Sequence, residues 1–183
     1  MKFQYILIVL LFVFACSNPK SEQEVESPAS PPKTVNKNST TNALLKKIMG
    51  NGEGLLRGVN FGDDISAVKK NEKLELFEQE STHVGYTFDT PDLETVDILY
   101  GKDPKGKLNS IQLDIYMNSD ESNEELYKAF SDYFSLKFGK MTEVGGNATW
   151  NLTPKGILTI KKVKTNLDRG LEVKFMQDSP QAL

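Results

Sequence analysis

The sequence predicts an α+β fold, in which an antiparallel sheet of about six or seven strands carries two main helices on one face. The strongest sign of a sheet is the segment 110–117, where apolar and polar side chains alternate without interruption. A strand with this period buries one face and wets the other, as in an antiparallel sheet. The segment 122–139 instead spaces its apolar residues as a helix does and ends on a glycine.

The single domain predicted over 43–178 opens with two short helices. Asn42 is a candidate N-cap for a helix over 43–49. After a short strand around Leu56, Asp63 or Asp64 is placed to cap a second helix. Alternating apolar residues then predict three strands, at Leu74 and Leu76, at Tyr86 and Phe88, and at Val96, Ile98 and Tyr100.

The second half predicts one long helix and three further strands. Residues 122–125 have the pattern of a capping box, and the apolar stripe that follows ends at Gly139. The closing strands are separated by turns at 153–156 and 168–170. Their apolar residues are Ala148, Trp150 and Leu152, then Leu158 and Ile160, then Leu171, Val173 and Phe175.

Each half of the domain therefore holds a helix and about three strands, which predicts a two-fold repeat of architecture. A Phe-Gly pair stands in each half, at 61–62 and at 138–139. This order resembles the helix-plus-sheet repeats of small envelope binding proteins, such as those like β-lactamase inhibitor protein. The resemblance implies a fold and by itself no function.

The N-terminus has the features of a secretory signal. Met1-Lys2 is followed by an apolar run over 3–14 that only Gln4 interrupts. The run is too short for a membrane span, which needs about 20 apolar residues. Small Ala15 stands directly before Cys16, where a signal peptidase needs a small side chain. Residues 1–15 are therefore predicted to be a cleaved signal peptide.

Val13-Phe14-Ala15-Cys16 resembles the lipobox of bacterial lipoproteins, in the looser form found in Bacteroidetes. The resemblance implies acylation of Cys16 and attachment to the cell envelope, with Ser17 favouring the outer membrane. Because several acyl chains hold a protein stably at a membrane, this would be a lasting anchor. The alternatives are an ordinary cleaved signal or a short uncleaved anchor, in which Cys16 is incidental.

Residues 17–42 predict a disordered linker between the lipidated cysteine and the domain, and 179–183 predict a short tail. The linker is rich in Pro, Ser, Thr and Asn and has only Val25 and Val35 as sizeable apolar residues. Such a segment cannot bury enough surface to offset the entropy of ordering.

Composition excludes several classes of function. The chain carries 22 basic and 25 acidic side chains, and loss of the signal would remove Lys2 and no acid. This mild acidity argues against a nucleic-acid partner. An envelope location makes nucleotide cofactors unexpected. With one cysteine in 183 residues, a lipidated Cys16 leaves no thiol for a disulfide, a nucleophile or a metal site.

Candidate chemical residues each have a structural interpretation that the sequence favours. His83 is expected in a solvated loop, and Asp63-Asp64 at a helix start rather than at a metal. The cluster Asp120, Glu121, Glu124 and Glu125 also fits a helix start, and Lys161, Lys162 and Lys164 fit a sheet edge or a solvated patch. No catalytic residue, metal or cofactor is therefore predicted.

The sheet face opposite the helices remains as a candidate binding surface. Tyr116 is expected there, whereas Trp150 is expected in the core. The first hypothesis is a non-enzymatic envelope lipoprotein whose domain binds a protein, peptide or cell-wall ligand. The alternatives are an envelope hydrolase with paired carboxylates, or an inhibitor or immunity protein for a secreted hydrolase.

We expect the mature protein from a membrane fraction to begin at an acylated Cys16, and Cys16→Ser to accumulate as uncleaved precursor. The reason is that, in the lipoproteins this signal resembles, acylation of the thiol precedes cleavage. The mass of the N-terminal peptide measures both outcomes. An unacylated N-terminus at another residue would contradict the predicted lipid anchor.

Overall fold

Residues 37–152 and 156–178, the part of the chain that the computed structural model describes, form three helices and eight strands. The helices are α1 (Lys37–Met49), α2 (Ile65–Asn71) and α3 (Asp120–Phe138). The strands are β1 (Glu75–Gln79), β2 (His83–Asp89), β3 (Thr95–Lys102), β4 (Leu108–Tyr116), β5 (Thr142–Val144), β6 (Asn147–Asn151), β7 (Gly156–Lys164) and β8 (Arg169–Gln177). The predicted signal peptide, Cys16, the predicted linker as far as residue 36, the turn residues 153–155 and the tail 179–183 lie outside the described residues.

These strands form one antiparallel sheet in the order β1-β2-β3-β4-β8-β7-β6-β5. The α+β class is thus confirmed, but the described strands number eight where six or seven were predicted. β5 was missed because all its residues are exposed, so no buried face produces an alternating pattern. The short strand predicted around Leu56 is only an isolated bridge between Leu56 and Val59.

The first helix begins earlier than the sequence indicates. α1 starts at Lys37, ahead of the predicted cap at Asn42, so the end of the predicted linker is helical. Ser, Thr and Asn are weak helix formers, which is why composition favoured a linker there. The Thr41 hydroxyl donates to Glu125 of α3 at 3.2 Å, and α1 packs against α3. Tertiary contact accordingly outweighs propensity in this segment.

The long helix has the predicted apolar stripe but a different cap. Ser119 caps α3, and its Oγ accepts the Ser122 N–H at 3.0 Å, so the capping box predicted over 122–125 is wrong by about one turn. The two serines both precede acidic residues, and sequence alone does not distinguish them. The helix ends at Gly139, whose φ of 95° favours glycine.

The apolar core lies between α3 and one face of the sheet, which we call the covered face. Phe134 of α3 contacts Trp150 of β6 and Phe175 of β8, with ring centroids 5.7 Å apart in both pairs. The Trp150 indole N–H donates to the Ser135 hydroxyl at 3.2 Å, which satisfies its only donor. Trp150 is fully buried, as predicted.

One ionic cluster is buried beside this core. The Arg57 guanidinium makes two hydrogen bonds to the Glu72 carboxylate, at 2.7 and 2.8 Å, and a third to the Lys47 carbonyl at 2.6 Å. The Tyr100 hydroxyl of β3 donates to the same carboxylate at 3.1 Å. The side chain of Glu72 is only 3% exposed. This Arg57–Glu72–Tyr100 cluster joins α1, α2 and the sheet.

Opposing effects set the pKa of Glu72. Burial by itself raises that pKa, but the hydrogen bonds and charge of Arg57 outweigh it, helped by the backbone N–H groups of Lys73 and Leu74. The pKa of Glu72 is therefore lowered from its ordinary value of 4.5. Burial and the charge of Glu72 also raise the pKa of the Tyr100 hydroxyl. The cluster is consequently ionised, with its tyrosine neutral, at neutral pH.

We expect Glu72→Ala to lower the free energy of unfolding by about 3–5 kcal/mol, because it leaves the Arg57 charge buried and unpaired. Glu124→Ala is the matched control, since the exposed pair of Glu124 with Lys162 is worth less than about 1 kcal/mol. Urea denaturation at neutral pH measures both variants. Equal losses of unfolding free energy in the two variants would show that the buried cluster contributes no more to stability than an exposed ion pair.

The same cluster gives a pH dependence with a definite sign. A lowered carboxyl pKa stabilises the folded state fully above the unfolded value of about 4.5 and loses that effect as pH falls through the folded value. The difference between the wild type and Glu72→Ala should therefore narrow below about pH 4.5.

Candidate functional site

The face of the sheet opposite the covered face, which we call the open face, is formed by the alternate residues of each strand. On the central strand β4 these are Ser110, Gln112, Asp114 and Tyr116, as predicted. Most open-face residues are half-buried, and Tyr116 is 46% exposed, as is Met176, with Ile157 at 43%. The open face is therefore a mixed surface of polar, charged and apolar side chains.

A row of carboxylates crosses its centre. Asp97 of β3 is paired in register with Asp114 of β4, and Asp114 with Glu172 of β8. Lys161 of β7 stands next in the row, paired with Glu172. Side chains at such positions have Cβ atoms about 5 Å apart. Three acids thus lie side by side, a base stands at one end of the row, and Lys174 of β8 pairs with Glu172 at 2.8 Å.

Asp114 stands at the middle of the row. Its two carboxylate oxygens accept hydrogen bonds from the Gln112 amide at 3.0 and 2.8 Å. Burial raises its pKa, the negative charges of Glu172 and Asp97 act in the same direction, and the Gln112 bond and Lys174 act against them. The net effect is a raised pKa, so ionised Asp114 favours a cation or a hydrogen-bond donor beside it.

A cavity of about 300 Å³ adjoins this row, next to Tyr116. Its floor is Gly170 of β8, which is paired with Tyr116 on one side and with Val163 on the other. A Cβ at Gly170 would stand 1.8 Å from the Ile115 carbonyl oxygen, so the close strand pairing there requires glycine. The Tyr116 ring and Val163 also line the cavity.

Acidic neighbours also affect Tyr116. Burial, followed by the charges of Asp114, Asp97 and Asp168, raises the pKa of its hydroxyl. The hydroxyl is consequently a neutral hydrogen-bond donor at physiological pH. An apolar ring with a donor at its tip is a common contact residue in protein interfaces.

His83 differs from its predicted position in a solvated loop. It is the first residue of β2, its Nε2 lies 2.9 Å from the Glu78 carboxylate, and its Nδ1 lies 3.1 Å from the Thr82 hydroxyl. A hydroxyl, an imidazole and a carboxylate in series are the elements of a catalytic triad. The Thr82 hydroxyl, however, is exposed in a turn, where water competes for the same hydrogen bond.

The Asp63-Asp64 pair behaves as the capping interpretation predicts. Asp64 caps α2 through a hydrogen bond from the Ser66 N–H at 2.9 Å, and this bond lowers its pKa. The Asp63 carboxylate accepts the Asn60 N–H at 2.7 Å. Across 37–152 and 156–178, no group of three or more His, Cys, Asp or Glu side chains could hold a metal ion.

The acidic cluster at the start of α3 meets the predicted basic patch. Asp120 pairs with Lys164 at 2.7 Å, and this contact lowers the pKa of Asp120. Glu124 pairs with Lys162 at 2.6 Å, whereas Lys161 points to the open face. β6 pairs with β7 only as far as Ile160, so within the described residues no strand pairs with these lysines on that side of β7. Lys162 and Lys164 are 41% and 68% exposed, and the expectation of a sheet edge or a solvated patch is therefore confirmed. Lys162 and Lys164 also bridge the sheet to α3.

Sequence analysis missed the two outer acids of the open face. Asp97 stands between Val96 and Ile98, and Glu172 between Leu171 and Val173, so period two places both on a wet face. Periodicity within a strand does not give the order of the strands in the sheet. That order places β3, β4 and β8 side by side and so brings the acids together.

Comparison with known proteins gives no family for this chain, since no protein-family model, curated protein or solved structure matches it. Within the described residues, no helix has the length and apolar character needed to cross a membrane.

We expect Asp114→Asn to raise the free energy of unfolding at pH 7 by about 0.5–1 kcal/mol, because it removes repulsion from like charges directly opposite. A raised carboxyl pKa stabilises the folded state below the unfolded value of about 3.8 and loses that effect as pH rises through the folded value. The gain from Asp114→Asn should accordingly vanish below about pH 3.8.

Asp132→Asn serves as the control for this measurement, since Asp132 is exposed and pairs with Lys128 at 2.6 Å. Thermal unfolding across the pH range compares the two variants. A loss of stability in Asp114→Asn at pH 7 would contradict the proposed repulsion.

Proposed function

We propose that the protein is an envelope lipoprotein, anchored through Cys16, whose domain binds a protein, peptide or cell-wall partner through the open face. The observation that carries this proposal is the composition of that face. A half-exposed tyrosine, a cavity beside it and a row of acids stand together on rigid strands. Sites built on strands hold their side chains with little entropy left to lose on binding.

The arrangement of the sheet supports the proposal. The element order gives a helical segment and a four-stranded meander twice, and the two meanders meet at β4 and β8. We interpret this as the two-fold repeat expected from the sequence, with the main helices on the covered face. Such a repeat doubles the width of one sheet, so the open face offers a broad surface to a partner.

The chemistry of the face favours a partner with a basic or donor-rich contact region. Asp97 and Asp114 supply negative charge at the centre, where the third acid, Glu172, is paired with Lys174. Met176 and Ile157 supply exposed apolar surface toward one end. Tyr116 and Val163 supply apolar surface toward the other end. Apolar areas beside a charged centre combine affinity with orientation. We therefore expect a partner that presents lysine or arginine between apolar residues.

A hydrolase is the second candidate, and the paired carboxylates are the observation that favours it. Asp114, with its raised pKa, has the property of a general acid, and Asp97 or Glu172 beside it could act as the second carboxylate. An inhibitor or immunity protein would use the same face for binding only. The hydrolase would cleave an envelope polymer with turnover. The inhibitor or immunity protein would bind a secreted hydrolase and cleave nothing.

We expect Tyr116→Ala to weaken capture of the partner at least about tenfold, since truncating an aromatic residue at the centre of an interface costs about 2 kcal/mol or more. Leu136→Ala is the control, because Leu136 is 90% exposed on α3, away from the sheet. Capture from a crosslinked envelope fraction, measured by quantitative mass spectrometry, compares the variants with the wild type.

Equal capture by wild type and Tyr116→Ala would overturn the assignment of the open face. Release of soluble products from envelope polymers, abolished by Asp114→Asn, would favour the hydrolase. A hydrolase that co-purifies in stoichiometric amount and is inhibited by the domain would favour the inhibitor.

A further inference from the structure

A second concave surface lies away from the open face, between α1 and the β2–β3 connection. It consists of two adjoining cavities of about 480 and 310 Å³ that share Thr40, Leu44, Asp92 and Glu94. We call this surface the Glu94 groove. Ala43, Leu44 and Pro91 form its apolar wall in the larger cavity. Both volumes fall in the range of sites for small organic ligands.

Glu94 is the unusual residue of the groove. It is only 8% exposed, and it lines both cavities. Its carboxylate accepts the Asn118 N–H at 3.5 Å, which is at the limit of a hydrogen bond. No lysine, arginine or histidine pairs with Glu94 within the described ranges. A buried carboxylate without a cation is costly, so this position favours an external cation.

The surroundings of Glu94 add negative charge. Burial raises the pKa of Glu94, and the charge of Asp92 raises it further, while Asn118 and Thr90 act against this. A second carboxylate, that of Glu125 of α3, lines the smaller cavity and accepts a hydrogen bond from the Thr41 hydroxyl.

The nearby cation is engaged elsewhere. Lys47 lines the larger cavity, but its ammonium lies 3.9 Å from the centroid of the Phe88 ring and 3.4 Å from the Asp89 carbonyl. The groove therefore combines an apolar wall with an unneutralised, nearly buried carboxylate.

We propose that the Glu94 groove binds an organic ammonium ion that carries an apolar chain, with the cation against Glu94 and the chain along Leu44. The charge selects a cation, and the wall selects an apolar body of a few carbon atoms. This site does not depend on the open face or on the anchor. The same chemistry is offered by a free amine and by a lysine side chain, and the test below separates these sources.

The test is a titration of the full chain with n-hexylammonium, followed by amide chemical shifts in NMR. We expect saturable shifts at residues 40–47 and 90–94. Hexanoate has a chain of the same length and the opposite charge, and it should produce no saturable shift there. Methylammonium lacks the chain and should bind at least fivefold more weakly than hexylammonium. These comparisons need no variant, so they hold even if a substitution at Glu94 fails to fold.

Glu94→Gln should weaken hexylammonium binding about tenfold or more, whereas Asp114→Asn on the open face should leave it unchanged. N-acetyl-lysinamide carries the ammonium on a four-carbon stem. Binding at least as tight as that of hexylammonium would assign the groove to a lysine side chain of a polypeptide, and weaker binding would assign it to small amines. Equal binding of hexanoate and hexylammonium, or no shift with either, would overturn the proposal.

Discussion

The buried ion pair between Arg57 and Glu72 is the interaction on which the arrangement of α1 and α2 against the sheet depends. Arg57 lies in the loop after α1 with a φ of 49°, a left-handed conformation that costs a non-glycine residue about 1–3 kcal/mol. Its guanidinium holds the end of α1 through the Lys47 carbonyl and the end of α2 through Glu72. The Tyr100 hydroxyl then ties this carboxylate to β3. An apolar contact would supply area but not this fixed geometry.

The sheet separates two different physical environments. The covered face is apolar and tightly packed around Phe134, so its contribution is mainly to stability. The open face keeps three acids adjacent, although like charges in register oppose folding. An arrangement that costs stability without serving the core is typical of a functional surface, where stability and activity oppose each other. This contrast is the physical reason for placing binding on the open face.

The open face and the Glu94 groove share one property, which is a carboxylate with a raised pKa that forms no ion pair within the described residues. Asp114 is bonded to the Gln112 amide and faces two further acids, and Glu94 has only weak backbone and hydroxyl contacts. Elsewhere, acids meet bases, as Asp120 meets Lys164 and Glu124 meets Lys162. Charge complementarity to cationic groups therefore separates the candidate binding surfaces from the structural ion pairs.

The sequence by itself determined the α+β class, the faces of β4, the burial of Trp150 and a helix cap at Asp63 or Asp64, because each follows from local periodicity or from hydrogen bonds to the nearest backbone groups. It also predicted Tyr116 on the open face. Only the tertiary structure decided that Asp97, Asp114 and Glu172 form one row, that Arg57 meets Glu72, and that Glu94 lines a groove. The physical reason is that these contacts join residues far apart in the chain, and their pairing depends on strand order and packing, which local patterns do not encode.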